Sequence, residues 1–377
     1  MKTPHHYIWQ REGWPKFIYN KEALEDELAE INRQGGALSV IGRIVSDKDL
    51  QQASLESMCH EIVNSSEIEG EVLNRDSVRS SIRKKLGLME QIEKDQSSQQ
   101  TDGLVEILLD ATRNSTEPLT NDRLLGWHHA LFPTGRSGIR KIDVGAFRKD
   151  LEGPMQVVSG EGTVREKVHY EAPPAADIEL EMYRFLEYIN HNSDDNCYIK
   201  AGIAHLWFLS IHPLDDGNGR IARTITDMLL SRCEAEETRI YSLSRSIKSD
   251  HKGYYETLDR TTKNKTDMDI TMWLLWFLKT LKIAQKQALD EIDTIIAKAK
   301  FWQEHREDPL NDRQIKVLSR LLDAGDDFKG GLSNKKYCKM TGISDATASR
   351  DLDQLLKFGC LVKNGKGPAT RYEINYG

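Results

Sequence analysis

The sequence predicts a mainly α-helical protein with two short β-hairpins, and three observations lead to this fold class. Apolar residues recur every three or four positions through most of the chain, as at Ile221, Ile225 and Met228, which is typical of helices with one buried face. The chain has 377 residues, of which 38% are hydrophobic, and this suffices for two or three packed domains. Two short runs separated by a glycine-rich turn, within residues 361–374, predict a β-hairpin.

Residues 1–115 are expected to form an N-terminal helical domain. Helical spacing of apolar residues appears over residues 21–32 and 50–72, which predicts two helices. Aromatic residues precede them at positions 7–10 and 14–17. We expect these aromatic side chains to make core contacts rather than to line a ligand site.

Residues 309–377 are expected to form a domain that resembles a winged helix-turn-helix. Its predicted helices cover residues 315–322, 333–340 and 344–358, and a two-stranded wing follows around a glycine-rich turn at 364–367. A domain of this kind binds either DNA or another protein.

The charge of this last domain differs from that of the whole chain. Residues 309–377 contain 12 Lys and Arg against 8 Asp and Glu, a net charge of +4, whereas the chain carries −7. A locally basic module can bind DNA. The helix over residues 344–358, however, mixes its basic residues with three aspartates, Asp351 among them, and carboxylates near phosphate weaken DNA binding. DNA and protein partners remain equal alternatives.

The most informative segment is residues 210–223, which read SIHPLDDGNGRIAR. An apolar, buried helix is predicted over residues 199–211, and Pro213 prevents its simple continuation. A second helix is predicted to start near Asn218. The two glycines that flank Asn218 permit unusual backbone angles and close approach of another group.

This segment has the features of a phosphate site. A glycine-rich turn that opens a helix presents unpaired N–H groups and the positive end of the helix dipole to an anion. Arg220 and Arg223 lie one turn apart and add donors that suit phosphate oxygens. Asp216 is placed to hold Mg²⁺, and His212, with an ordinary pKa of about 6.5, suits a general base.

The segment matches the signature His-x-Phe-x-(Asp/Glu)-Gly-Asn-Gly-Arg-x-x-Arg, and most of the chain resembles Fic-family nucleotidyl transferases. Leu214 stands where the family usually has Phe, and we expect it to pack under the loop. The resemblance implies that residues 116–305 form a Fic helical core with its linker helix. It also implies transfer of AMP from ATP to a Ser, Thr or Tyr hydroxyl of a protein target.

The resemblance assigns a role to each residue of the motif. His212 would take the proton of the attacking hydroxyl, and Asp216 would bind Mg²⁺. Arg220 would hold the β-phosphate and Arg223 the γ-phosphate. The phosphates would also be cradled by the turn formed by Gly217, Asn218 and Gly219.

Two further stretches are similar to the family. Residues 145–148, Gly-Ala-Phe-Arg, resemble its Gly-x-(Tyr/Phe)-Arg segment, and residues 154–160 with 169–174 resemble its β-hairpin flap. Such a flap would hold the target as an added strand through main-chain hydrogen bonds. Its target-positioning residues would be Met155, Gln156, Val157 and Val158.

Residues 65–70, Ser-Ser-Glu-Ile-Glu-Gly, match the inhibitory motif (Ser/Thr)-x-x-x-Glu-(Gly/Asn) of Fic proteins. Ser65 and Glu69 share a helix face, and Gly70 suits a helix end. The resemblance implies that Glu69 pairs with Arg223 and inhibits transfer. In some relatives the same glutamate aligns a water that removes AMP, so the direction of the reaction stays open. A third alternative is a DNA-binding regulator whose core senses nucleotide.

Several further expectations concern metals, location and assembly. The spacing of His205 and His212 makes a zinc or di-iron site conceivable, but a packed His205 is favoured. The five cysteines are scattered, which argues against a disulfide framework and predicts a cytoplasmic location. No apolar run is long enough to cross a membrane, and a homodimer is a candidate assembly.

Overall fold

The structure is a computed structural model that forms two compact units, Met1–Leu289 and Asp290–Gly377. The described part of the chain contains fourteen α-helices and three two-stranded antiparallel hairpins, which confirms the mainly α prediction. The residues that the structure describes are 7–89, 94–151, 153–159, 167–235, 239–263, 267–324, 328, 330–365 and 367–376.

The first unit starts with four helices: α1 Glu25–Ile44, α2 Asp47–Ile68, α3 Arg75–Lys85 and α4 Gln99–Arg113. The two predicted helices therefore exist, but the first extends well beyond residue 32 and the second ends before residue 72. The side chain of Ser46 caps α2 by accepting a hydrogen bond from the main-chain N–H of Asp49. Helix α2 packs against α3, and α3 packs against α4.

The remaining elements of the first unit surround a buried helical hairpin. Helix α7 is apolar nearly all round and is buried along most of its length, as predicted, and α8 packs against it. Helix α9 packs against α2. The bounds are α5 Asn121–Leu131, β1 Arg136–Ser137, β2 Arg140–Lys141, β3 Gln156–Ser159, β4 Lys167–Glu171, α6 Ile178–Asn190, α7 Cys197–Ile211, α8 Asn218–Glu234, α9 Leu243–Ser249 and α10 His251–Thr262.

The N-terminal aromatic residues anchor the hairpin formed by β3 and β4. The rings of Tyr7 and Tyr170 meet edge to face with centroids 5.2 Å apart, and Trp9 donates its indole N–H to the carbonyl of Glu171 at 2.7 Å. The hydroxyl of Tyr170 donates to the carbonyl of Ser210 at 2.7 Å. These aromatic side chains make core contacts, as expected, and they fasten the hairpin to α7.

One expectation about the cysteines is wrong. Cys197 and Cys233 form a disulfide, with their Cα atoms 5.6 Å apart, although the scattered cysteines argue against a disulfide framework. The pairing results from the helical hairpin, because Cys197 opens α7 and Cys233 lies near the end of α8. The two helices run back along each other and bring these positions together. Sequence spacing alone does not show such a pairing.

The second unit contains three helices and a hairpin after the long helix α11, Thr271–Glu304. Its core includes Phe301, Leu318, Tyr337 and Leu352. The order of elements agrees with that predicted for residues 309–377, while the function of this region stays a prediction. The bounds are α12 Asp312–Ala324, α13 Asn334–Thr341, α14 Asp345–Lys357, β5 Leu361–Asn364 and β6 Arg371–Ile374.

Asp351 corrects the charge argument for α14. Its side chain is 5% exposed and accepts hydrogen bonds from the Tyr337 hydroxyl at 3.0 Å and from Arg313 Nε at 3.1 Å. The carboxylate therefore faces the interior of the unit, where Arg313 and Tyr337 pair it. The expectation that Asp351 would repel DNA phosphates is therefore wrong.

The first unit contains residues of both predicted N-terminal domains, so their boundary near residue 115 stays a prediction. In the described part of the chain, no helix combines the length and apolarity that crossing a membrane requires.

Candidate functional site

His212 stands at the end of α7 in a left-handed backbone conformation, with φ 51° and ψ 55°. Its main-chain N–H still bonds to the carbonyl of Phe208 at 3.0 Å, and its Nδ1 lies 3.2 Å from the carbonyl of Leu209. A carbonyl only accepts hydrogen bonds, so Nδ1 carries the ring proton in this contact. Nε2 is thereby left as the basic nitrogen.

The environment of His212 keeps its ring neutral. Burial lowers its pKa to about 4, and the hydrogen bond with Leu209 opposes this effect only in part. A neutral imidazole at pH 7 can accept a proton, which a general base must do.

Arg148 braces the loop that carries His212. It is 3% exposed, its main-chain N–H donates to the carbonyl of Pro213 at 2.9 Å, and its Nε donates to the carbonyl of His212 at 2.7 Å. Its other guanidinium nitrogens bind Asp150 and the carbonyl of Pro173. The Gly-x-Phe-Arg match signalled this residue, but the sequence did not reveal its positioning role.

Asn218 and Leu214 hold the loop from within. The side-chain amide of Asn218 accepts from the N–H of Leu214 at 3.0 Å and donates to its carbonyl at 2.8 Å. Leu214 is fully buried, as expected for the residue under the loop. Because the Asn218 side chain is occupied, only its main chain can contribute to a phosphate cradle.

The two glycines of the turn are required for different reasons. Gly217 has a φ of 79°, and a Cβ there would lie 2.7 Å from Cδ2 of Leu131. Gly219 has ordinary helical geometry, but a Cβ there would lie 2.0 Å from Oε1 of Glu69. The carboxylate of Glu69 thus lies directly against the N-terminal turn of α8, where an anion is favoured.

Arg223 is held by the predicted inhibitory motif. Its side chain is 2% exposed, and Nη2 donates to Oε1 of Glu69 at 2.8 Å. Nε donates to the hydroxyl of Ser65 at 2.8 Å. The structure therefore pairs Glu69 with Arg223, as the resemblance implies, and adds Ser65 as a second partner of that arginine.

Gly70 ends α2 and turns the chain back. It has a φ of 79°, its N–H bonds to the carbonyl of Glu67 at 3.1 Å, and the N–H of Glu71 bonds to the carbonyl of Ser66 at 3.0 Å. These two bonds form a Schellman motif, which favours glycine at its left-handed position.

Arg220 has a partner that the sequence analysis missed. Its Nη1 lies 2.6 Å from Oε2 of Glu71, and its guanidinium carbon lies 4.8 Å from the centre of the Phe132 ring. Both arginines of the motif are therefore paired with glutamates at the end of α2: Arg223 with Glu69 and Arg220 with Glu71.

Asp216 fits the expected magnesium ligand. Its side chain is half-buried, and Oδ1 accepts a hydrogen bond from the N–H of Gly217 at 2.5 Å. Mg²⁺ needs only one or two carboxylates together with phosphate oxygens. The neighbouring Asp215 has a structural role, because it accepts the N–H of Asp143 at 2.9 Å.

Packing and a hydrogen bond position the predicted flap residues. Met155 and Val157 pack against the cluster around Tyr170, and the amide of Gln156 donates to Glu171 at 2.8 Å. Val158 follows a register shift in the pairing with β4. Within the described ranges β3 has one strand neighbour, β4, so an added strand could pair with its other edge.

A metal site at His205 has no support. His205 is fully buried, and its ring nitrogens lie 2.9 Å from the hydroxyls of Thr226 and Tyr254. Burial lowers its pKa to about 3. His205 is therefore a packed residue, as favoured.

In the second unit, ligand atoms of His305, Asp308 and Cys360 lie within 4.8 Å of one another. Nδ1 of His305 is 2.7 Å from Oδ2 of Asp308, and burial raises the pKa of the Cys360 thiol to about 11. A hydrogen bond that closes the turn after α11 accounts for this cluster, and we assign no metal to it.

Comparisons with known proteins agree with this geometry. Residues 118–230 match the Fic/DOC family, and residues 7–88 match a domain of unknown function, DUF4172. The proteins named "Protein adenylyltransferase Fic" of Drosophila yakuba and Drosophila melanogaster are each 30% identical to this chain over 123 residues. That similarity spans 30% of this chain and 25% of each relative, so the chain covers about a quarter of their length.

Solved structures show the same fold at low sequence identity. A Fic family protein from Desulfovibrio desulfuricans G20 has a TM-score of 0.54 and 18% identity, with coverage of 94% of this chain and 96% of that one. A Fic domain containing signaling protein from Bacteroides thetaiotaomicron VPI-5482 has a TM-score of 0.50 and 17% identity, with coverage of 70% and 97%. These structures share the fold, and the family match over residues 118–230, together with the motif, shows that this segment of the chain is a Fic/DOC domain.

Proposed function

We propose that this chain transfers AMP from ATP to a Ser, Thr or Tyr hydroxyl of a protein target, itself included, and that Glu69 restrains the reaction. The observation that carries the proposal is the ion pair of Glu69 with Arg223, directly against Gly219. It places a carboxylate where a nucleotide phosphate would bind. The names of the Drosophila relatives support the type of reaction.

The chemistry follows from the positions of the loop residues. Nε2 of His212 accepts the proton of the attacking hydroxyl, whose oxygen then bonds to the α-phosphorus while pyrophosphate leaves. Positioning and charge stabilisation account for most of the catalysis in such transfers. Arg148 keeps the His212 loop in place, and Mg²⁺ held by Asp216 would neutralise phosphate charge.

The phosphate groups of ATP would bind at the N-terminus of α8. The main chain of residues 217–219 would cradle them, Arg220 would take the β-phosphate and Arg223 the γ-phosphate. While Glu69 occupies Arg223, the γ-phosphate meets a carboxylate instead of a free guanidinium. ATP then binds weakly or with its phosphates displaced, and transfer is slow.

Labelling with ATP that carries a radioactive α-phosphate tests this proposal. We expect little label in the wild type, strong Mg²⁺-dependent label in Glu69→Gly, and none when His212→Ala is added. Glu67→Gln is the matched control, because Glu67 lies on the same helix but faces Lys248 at 4.0 Å. Absence of label in Glu69→Gly, with lysate targets offered, would contradict the proposal.

Removal of AMP is the alternative direction, and the geometry of Glu69 is compatible with it. Arg223 binds Oε1 of Glu69, and for Oε2 the described residues offer no hydrogen bond. Oε2 could therefore align a water for attack on the α-phosphorus. The wild type would then strip AMP from a modified target and Glu69→Gly would not. Equal removal by both proteins would exclude this direction.

DNA is a candidate partner of residues 309–377, in a protein whose Fic core would act as a nucleotide sensor. The net charge of +4 favours DNA binding by this region. The buried position of Asp351 favours it further, because this carboxylate would not repel the DNA phosphates. A salt-sensitive electrophoretic shift should disappear when residues 309–377 are deleted and persist in His212→Ala. A shift that survives the deletion would refute this function.

Location and assembly remain proposals as well. A homodimer would show as a doubled mass in light scattering. A cytoplasmic location stays a proposal, and the redox state of the Cys197–Cys233 pair in the cell would test it, because disulfides persist mainly in oxidising compartments.

A further inference from the structure

Glu71 lies just beyond the inhibitory motif and binds the first arginine of the Fic loop. Oε2 of Glu71 is 2.6 Å from Nη1 of Arg220, and the two side chains are 32% and 9% exposed. The Arg220 guanidinium is thus almost removed from water. In such a buried position a charge interaction is stronger than at the protein surface. This contact differs from the one that Glu69 makes with Arg223.

The end of α2 holds Glu71 in position. The Schellman motif at Gly70 bonds the N–H of Glu71 to the carbonyl of Ser66 at 3.0 Å, which fixes its main chain. The amide of Gln100, in α4, donates to Oε1 of Glu71. The carboxylate is therefore bound on one oxygen by Gln100 and on the other by Arg220.

One N–H group of Arg220 is available to bind an anion. Its Nε is buried and has no acceptor among the residues that the structure describes. Buried donors without a partner are uncommon in folded proteins. A phosphate oxygen could accept this N–H when it replaces Glu71.

We propose that Glu71 is a second acidic restraint on the nucleotide site, specific for the arginine that would take the β-phosphate. This inference rests on the proposed function, which supplies the roles of the two arginines. Glu69 blocks the γ-phosphate position and Glu71 blocks the β-phosphate position. Removal of Glu69 alone therefore frees Arg223 and leaves Arg220 paired with Glu71.

The two restraints should respond differently to the length of the phosphate chain. ADP has a β-phosphate but no γ-phosphate, so it competes with Glu71 and not with Glu69. We expect Glu71→Gln to raise the affinity for both ADP and ATP by about tenfold. Glu69→Gln should raise the affinity for ATP and leave that for ADP within about twofold of the wild type.

Titration of the full chain with fluorescent ADP and ATP, in the presence of Mg²⁺ and in a His212→Ala background that prevents turnover, tests this pattern. Glu67→Gln is the matched control and should change neither affinity. Glu71→Asp, one methylene too short to keep the contact, should also raise the affinity for ADP, although the charge remains. An unchanged ADP affinity in a folded Glu71→Gln protein overturns the inference, as does an equal gain in Glu69→Gln.

The outcome can be separated from that of the proposed function. If Glu69→Gly becomes labelled by ATP and Glu71→Gln leaves ADP binding unchanged, only the role of Glu71 fails. If no variant is labelled but Glu71→Gln raises ADP affinity, the transfer reaction fails and Glu71 still restrains the nucleotide site. Should Glu71→Gln not fold, Glu71→Asp and Gln100→Ala carry the test, and unchanged ADP binding in both overturns the inference.

Discussion

Glu61 anchors α2, the helix that carries the proposed inhibitory motif. It is 5% exposed, and Oε2 accepts hydrogen bonds from the hydroxyl of Ser242 at 2.7 Å and from the N–H of Ser244 at 3.0 Å. Ser244 lies in the first turn of α9, where the helix dipole also favours a carboxylate. These contacts tie α2 to α9 at a distance from the Glu69 end.

Glu61→Ala should weaken the docking of α2 on α9 by about 3 kcal/mol. Hydrogen bonds to a charged group contribute about 1.5–3 kcal/mol each, and the buried N–H of Ser244 loses its acceptor. Relief of the repulsion between Glu61 and buried Asp227, whose pKa is raised to about 7 chiefly by burial, offsets part of this loss. A change of about 3 kcal/mol increases local opening of α2 by roughly 150-fold.

Hydrogen exchange of peptides from residues 47–68, followed by mass spectrometry, measures this opening. The amides of α2 should exchange much faster in Glu61→Ala, and label from ATP should rise although Glu69 is intact. Glu67→Gln is the control, since a half-exposed pair at 4.0 Å contributes at most about 1 kcal/mol. Wild-type protection of α2 in Glu61→Ala, or equal loss of protection in Glu67→Gln, would show that Glu61 does not hold α2 on α9.

Three further predictions concern the loop, the disulfide and pH. Arg148→Lys in the Glu69→Gly background should lower the labelling rate by about 100-fold, because His212 shifts. The affinity for ATP should stay nearly unchanged. A loss of affinity of the same size would show that Arg148 binds ATP instead. The double substitution Cys197→Ser and Cys233→Ser should lower the free energy of unfolding, measured with denaturant, by about 4 kcal/mol. If a reductant does not change the stability of the wild type, this prediction is wrong. Because burial lowers the pKa of His212 to about 4, its neutral, basic form persists down to that pH. The labelling rate of Glu69→Gly should therefore stay level from pH 7 to 5.5, and a half-loss near pH 6.5 would show an ordinary histidine.

The sequence predicted the parts of the site that local pattern and motif determine. Helix α7 is apolar all round, so its burial could be predicted. The glycines and arginines of residues 217–223 predict an anion site through their chemistry alone. The contact of Glu69 with Arg223 came from the family resemblance, because nothing in the spacing joins positions 154 residues apart.

The missed contacts depend on turns and on pairs distant in sequence. Glu71 follows the end of α2, where helical spacing no longer applies, and the Schellman turn at Gly70 directs it to Arg220. The burial of Asp351 depends on Arg313 and Tyr337, which lie on other helices. Such features need the tertiary structure.

A double-mutant cycle of Glu69 and Arg223, read out as the initial rate of labelling from α-phosphate-labelled ATP, measures whether Glu69 inhibits transfer through this arginine. We predict that Glu69→Gly raises the rate by at least about tenfold, and that this gain vanishes when Arg223→Ala is already present. The coupling would then lie in the ion pair that the structure shows at 2.8 Å. An equal gain with and without Arg223 would contradict the claim that Glu69 acts by occupying this arginine.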